Sequence, residues 1–148
     1  MAGRPLDYDL SLVFLTINGT IITGFADGDA IKVAMDSNTF DDMVGADGEV
    51  TRHTTNDKRG TLTIRLNYGS LSNVVIQILA SLDESLGLGT ANIAVIDAKG
   101  GSLVRSPYSW IQKRPDLTLG KAPGPVEWVW RGSEVDTTYA ALLTAGGL

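Results

Sequence analysis

The run "TLTIRLNYGSLSNVVIQILASLDESLG" (residues 61–87) changes its period partway through. The first seven residues alternate, Leu62, Ile64 and Leu66 against Thr61, Thr63, Arg65 and Asn67. A period of two with one oily and one wet side makes a strand that rests one face on a core and leaves the other in water. From about residue 70 the period lengthens. Leu71, Val74, Val75, Ile78, Leu79, Leu82 and Leu86 keep one face of a helix, and Ser72, Asn73, Gln77, Ser81 and Ser85 fall mostly opposite. Ser70 or Ser72 is placed to cap its start, and Gly87 suits the left-handed position past its end. The spacing predicts one helix over about 70–87, its dry face lying on a sheet.

Strand signals flank this unit on both sides. "YDLSLVFLTI" (8–17), "NGT" and "IITGF" read as a hairpin, with Asn18-Gly19 supplying the positive-φ turn. "DGD" (27–29) turns the chain into "AIKVAMD" (30–36), where Ile31, Val33 and Met35 alternate with Lys32 and Asp36. Beyond the helix come "TANIAVID" (90–97), a Lys99-Gly100-Gly101 turn, a short strand near "SLVRS" and a less regular "PYSWIQKRPD" (107–116). In "KAPGPVEWVWRG", Val126, Trp128 and Trp130 alternate with Glu127, Val129 and Arg131; "SEVDTTYAALLTAGGL" suits a last strand with a frayed tail. The expected fold is mainly β: an antiparallel β-sandwich or barrel with one outer α-helix (about 70–87) and a long polar loop (about 37–60), in a single domain over residues 1–148.

The 148 residues suffice for one sizeable core. Seventeen acids against twelve bases give a charge of −5, which argues against a standing nucleic-acid interface while leaving passing contact with DNA open. The chain has no cysteine, so disulfides, thiolate catalysis and Cys-based zinc sites are excluded, in keeping with a reducing cytoplasm. No apolar run approaches the roughly 18 residues that span a bilayer. "MAGRPLDYDL" has no apolar stretch behind its arginine and does not read as a signal peptide.

Chemical motifs fail one by one. His53 is the single histidine and sits in the polar loop, where a solvated or interfacial side chain is the plain reading. The acids from Asp36 to Glu49 do not meet calcium-loop spacing: counted from Asp36, position 5 is Phe40, position 6 is not glycine, and position 12 is Asp47. "GLGTAN" (87–92) leaves a helix rather than entering one, so it is no dinucleotide fingerprint. Asp83 and Glu84 sit on the polar shoulder of the helix. No catalytic residue, metal ligand or cofactor is expected. Tyr108, Trp110, Trp128 and Trp130 invite a sugar-stacking reading, but Trp128 and Trp130 share the face of Val126, as a core or subunit seam would.

The segment "GADGEVTRHTTNDKRG" (45–60) is the long polar excursion. In and around it Asp41, Asp42, Asp47 and Glu49 precede Arg52, Lys58 and Arg59, so it can meet opposite charge on a neighbouring molecule. Together with "ITGFADGDAIKVAMD", "IDAKGG" and "WIQKRPDLTLGKAPGPVEWVW", it resembles a family of short phage structural proteins, the inner tail-tube proteins of contractile-tailed bacteriophages. The likeness spans roughly residues 8–132 and is most specific over 45–79.

The resemblance implies rings of six subunits, stacked into a hollow tube inside a contractile sheath, with the helix outside and a long loop reaching the next ring. It further implies contacts with tail sheath, baseplate hub and tape-measure proteins, transient non-specific passage of DNA, assembly in the host bacterial cytoplasm and residence in the virion tail. Lys32, Asp36, Thr61, Thr63, Arg65 and Asn67 are the candidates for a polar, net acidic lumen, with Asp36 or Glu127 offsetting the cations Lys32 and Arg65. The fold is also similar to the tube proteins of type VI secretion and of tailocins. A carbohydrate-binding sandwich is the distant alternative.

Overall fold

The computed structural model describes residues 9–99 and 101–139. Expectations for residues 1–8, for Gly100 in its turn and for the tail from 140 to 148 lie outside the described residues. After a short 3-10 turn at Leu10–Leu12 come strands β1 (Val13–Ile17) and β2 (Thr20–Ile22), joined as read, with Asn18 at φ 52° and Gly19 at φ 83°. β3 (Ile31–Met35) follows, then β4 (Phe40–Val44) and β5 (Val50–Thr54), then β6 (Gly60–Leu66). The helix α1 (Ser72–Leu86) leads to β7 (Ala91–Asp97), β8 (Leu103–Lys113), β9 (Val126–Gly132) and β10 (Asp136–Thr138).

The main sheet is antiparallel throughout and runs β2-β1-β7-β8-β9-β6-β3, with β10 beside β8. Where two strands were expected around 103–113, one long strand serves both halves of this sheet. Its first part pairs with β7 and β10, and from Ser109 onward it pairs with β9. Register shifts between Ala91 and Ile93 and between Ile111 and Lys113 bend it. The bend also explains how Ser106 and Ser109, three residues apart, are both fully buried. Their hydroxyls bond to each other, and Ser109 Oγ also donates to the Ser106 carbonyl at 3.3 Å.

Bending brings the two halves of the sheet onto one core. Leu15, Ile17 and Ile93 from one half meet Leu62, Ile64, Leu66 and Trp130 from the other, each no more than 1% exposed. The alternation read in 61–67 and 126–131 therefore holds, and Trp128 and Trp130 are core residues.

Two expectations need correction. The stretch 37–60 is not a structureless loop: β4 and β5 pair as a separate two-stranded hairpin, with Phe40 opposite Thr54 and Val44 opposite Val50. The helix has the expected extent, and Gly87 is left-handed at φ 68°, but it presents a different face. Ser72, Ile76 and Ala80 are buried, whereas Leu71, Val74, Ile78, Leu82 and Leu86 are exposed; only Val75 and Leu79 of the expected face are half-buried. Small side chains let the helix come close: Ser72 Oγ accepts the Thr23 amide at 3.0 Å, an approach that a leucine there would prevent. Neither serine is the N-cap residue, which is Leu71, although Ser70 Oγ accepts the Ser72 amide at 3.3 Å.

Two substitutions test this core. Trp130→Ala is expected to cost about 3–5 kcal/mol by opening a cavity. Gly132→Ala is expected to cost about 1–3 kcal/mol by overpacking, because a methyl group there falls 2.7 Å from the Val135 side chain. Both are read from urea midpoints at unchanged m-value; a midpoint equal to wild type for either would contradict the packing described.

Candidate functional site

The β4–β5 hairpin stands apart from the main sheet. Its turn is built by "GADGE": the Gly45 amide donates to the Glu49 carbonyl at 2.7 Å, Gly48 takes φ 88°, and Asp47 Oδ1 accepts the Glu49 amide at 3.3 Å. Every residue of β5 is exposed, as is all of β4 except the half-buried Asp41. One face of the hairpin carries Phe40, Val44 and Val50, with the Arg52 guanidinium 4.5 Å from the Phe40 ring centroid. Met43 is 61% exposed, Val44 67% and Val50 63%, an apolar tip standing in water.

The base of the hairpin is clasped by side chains. Asp41 accepts from Asn38 Nδ2 and Thr55 Oγ1, each at 3.2 Å. Arg59 donates two bonds of 2.9 Å to Asp57, which also accepts the Ser37 hydroxyl at 2.7 Å. These contacts sort the charges read from sequence. Asp41, Asp47 and Arg59 shape the hairpin and its base, while Asp42, Glu49, Arg52 and Lys58 are exposed. Asp42 and Arg52 are cross-strand neighbours, as are Asp41 and His53. Reading by charge missed Asp57, Met43, Val44 and Val50. The signal for the hairpin was present, since Asp47-Gly48 lies between two short β-compatible runs.

A second polar surface covers the outer side of β3, β6, β9 and the end of β8. Lys32, Thr63, Val129 and Lys113 form one cross-strand row, and Ala34, Thr61, Arg131 and Trp110 form the next. Thus Lys32, Thr61, Thr63 and Arg65 share a face, as alternation required. Asp36 joins it through Arg131, which donates to both its carboxylate oxygens and, at 2.9 Å, to Thr61 Oγ1. Arg65 lies 3.8 Å from Glu127, and Lys113 lies 3.7 Å from Asp116. Lys32 forms no ion pair among the described residues. Asn67 falls beyond the strand end and is exposed. Arg131 went unnoticed in the sequence as a member of this face.

Among the described residues no cluster of His, Asp and Glu could hold a metal ion. Trp128 and Trp130 are 2% and 0% exposed, and Trp128 Nε1 donates to Asn73 Oδ1 at 3.0 Å. They are therefore not available as a sugar-stacking platform.

Comparison with known proteins gives a consistent set of likenesses. The family described as "Bacteriophage PhiTE tail tube protein" matches residues 12–140. The chain is 29% identical, over an alignment of 147 residues, to "Structural protein ORF10" of Pseudomonas phage KPP10, covering 94% of this chain and 84% of that one. The cryo-electron microscopy structure of the anti-feeding prophage cap, a tube terminating cap, superposes with a TM-score of 0.65 over 95% of this chain and 96% of that one. At 7% identity, that last likeness is one of fold.

The hairpin base should respond to acid. The two Arg59 bonds, then the Ser37 hydroxyl, hold the Asp57 carboxyl far below the usual carboxylate range; Arg131 lowers that of Asp36. A carboxyl lowered in the folded state favours the clasp above its ordinary pKa and loses that contribution as pH falls through the folded value. Heteronuclear NOEs for residues 38–57 are expected to fall progressively as pH drops below the ordinary carboxylate value of about 4 while those of β6 and β7 hold. Asp57→Asn should show the lower values already at neutral pH. A clasp unaffected by either change would remove Asp57 from this role.

Proposed function

The chain belongs to the bacteriophage PhiTE tail tube protein family, and from that premise we propose that it is the structural subunit of a contractile tail's inner tube, stacked as rings of six into a conduit for DNA. The observation that carries this reading is the hairpin. A two-stranded hairpin is marginal in water by itself, and this one holds out an apolar tip flanked by Asp42, Glu49 and Arg52, with Lys58 exposed at its base. Such a device fits a socket on an adjoining ring. Head-to-tail stacking of that kind gives an open filament when the rotation does not close.

The lumen in this proposal is the face of Lys32, Thr61, Thr63 and Arg65. Its charges are paired rather than acidic: Arg131 with Asp36, Arg65 with Glu127 and Lys113 with Asp116. Pairing leaves Lys32 as the cation of that face without an ion pair among the described residues. A wall of neutralised pairs lets phosphate slide, whereas a basic stripe would hold it through counterion release. The remaining partners are the tail sheath, the baseplate hub and the tape-measure protein, and the place of action is the virion tail after assembly in the host bacterial cytoplasm. The curated relative comes from a phage, which favours this branch over type VI secretion and tailocin tubes.

Replacing residues 40–54 with a short Gly-Ser turn is expected to leave circular dichroism and the melting transition of the main sheet intact while abolishing tubes in negative-stain images. Arg52→Glu with Lys58→Glu is the milder form: each exposed pair is worth at most about 1 kcal/mol, summed around every ring. Normal tubes from the hairpin-less variant would defeat the proposal.

A further inference from the structure

The β4–β5 hairpin is the β3–β6 ladder carried past the edge of the core. Met35 pairs with Gly60, the Asp36 amide donates to the Arg59 carbonyl at 3.0 Å, and the Thr55 amide donates to the Thr39 carbonyl at 2.9 Å. Pairing then continues from Phe40–Thr54 to Val44–Val50. At about 3.3 Å per residue, the run from Asp36 to Val44 makes an arm of roughly 25 Å. Exposure along nearly all of β4 and β5 shows that the arm does not fold back on its own sheet.

The other end of the same strands is hollow. There Leu66 pairs with Val126, and the loop 114–125 joins β8 to β9. A cleft of about 280 Å³ opens beside this loop, with the buried Trp128 at its floor, the half-buried Pro115 and Val126 along it, and the exposed Tyr68 and Leu117 at its rim. Its walls are held in place. Arg114 donates to the two Glu84 carboxylate oxygens at 2.8 and 3.1 Å, the Gly124 amide donates to the Thr118 carbonyl at 3.2 Å, and Asn73 accepts the Trp128 indole N–H.

Charge divides between the two ends. Over residues 42–52 the arm carries Asp42, Asp47 and Glu49 against Arg52. Asp42 faces Arg52 across the hairpin and Asp47 binds its own turn, which leaves Glu49 as the acid of the tip without an ion pair among the described residues. Over residues 113–125 stand Lys113, Arg114 and Lys121 against Asp116. Lys113 lies beside Asp116 and Arg114 is held by Glu84, so Lys121 is the exposed cation of the loop without an ion pair among the described residues. An apolar tip with a spare acid complements an apolar cleft with a spare base, and no chain can seat its own arm at its opposite end. A head-to-tail contact between copies needs two such different surfaces on one chain.

We infer that the Val44–Val50 end of the arm seats in the Tyr68–Leu117–Trp128 cleft of a copy in the next ring, with Glu49 toward Lys121. This inference rests on the tube reading and names the socket that reading requires. Arm and cleft belong to the layer whose outer face is the proposed lumen, so stacking along these strands keeps that face continuous from ring to ring.

The chain has no cysteine, so introduced thiols report without background. Full-length Val44→Cys/Leu117→Cys protein, checked for tubes by negative-stain microscopy, is treated with a short bis-maleimide cross-linker. Glu49→Cys/Lys121→Cys, at two exposed positions, is a second pair should the first disturb assembly. Thiols at opposite ends of one chain are too far apart to link within it. The expected result is a ladder of covalent oligomers from either double variant and only monomer from each single-cysteine variant. Tubes that mix the two single variants of a pair should give nothing beyond dimer. Tubes of the double variants without a ladder overturn this inference while leaving the tube reading intact. Dimers from a single-cysteine variant alone, which place two tips or two clefts together, overturn it as well. Wild-type protein that never forms tubes, even on baseplate-primed ends, defeats the tube reading and this inference with it.

Discussion

Everything in this fold depends on β8 belonging to both halves of the sheet. An eleven-residue strand that pairs first with β7 and β10, then with β9, must bend between them. The bend turns one continuous sheet into two facing layers around a single core. It also forces Ser106 and Ser109 inside, where each hydroxyl is tolerable because the other satisfies it. Gly60 and Gly132 extend the same constraint next door. They face each other across β6 and β9, and Val135 packs where side chains would have stood.

Much of this was legible in the sequence because single-face burial leaves a plain period. Strand β6, the β1–β2 hairpin with Asn18-Gly19, the Trp128–Trp130 face and the extent of α1 follow directly from spacing and turn chemistry. The unity of β8 was hidden, since a bulge breaks the alternation that would have joined "SLVRS" to "PYSWIQ". The β4–β5 hairpin was hidden for another reason. With neither face on the core, its apolar and polar residues are not sorted as a packed strand would sort them, and the charges drew the eye from Met43, Val44 and Val50. Arg59 and Asp47 read as charges for a partner, yet they are spent on shaping the hairpin.

The helix misled in a more instructive way. Its apolar row is real, but amphipathic spacing reports which face must be dry somewhere, not that the dry partner lies in the same chain. Inside this chain the close approach at Ser72 and Ala80, on either side of the buried Ile76, decides the orientation, and those two small residues carry little weight in a hydrophobic pattern. The charge-paired face of β3, β6 and β9 shows the same limit. Alternation placed Thr61, Thr63 and Arg65 together, but only three dimensions showed that Asp36 and Arg131, 95 positions apart, neutralise each other beside them.

In the proposed tube, the freestanding hairpin bears on when assembly begins as well as on what holds it. A two-stranded ribbon gains little stability until something covers it, so each joining subunit meets an ordering cost at the moment of contact. Under that proposal, the complete circle of sockets on an existing end offsets that cost at once. Between two free subunits it is met with hardly any return. The proposal then makes initiation slow and elongation fast, so that subunits stay unpolymerised until a template appears and growth is confined to that template.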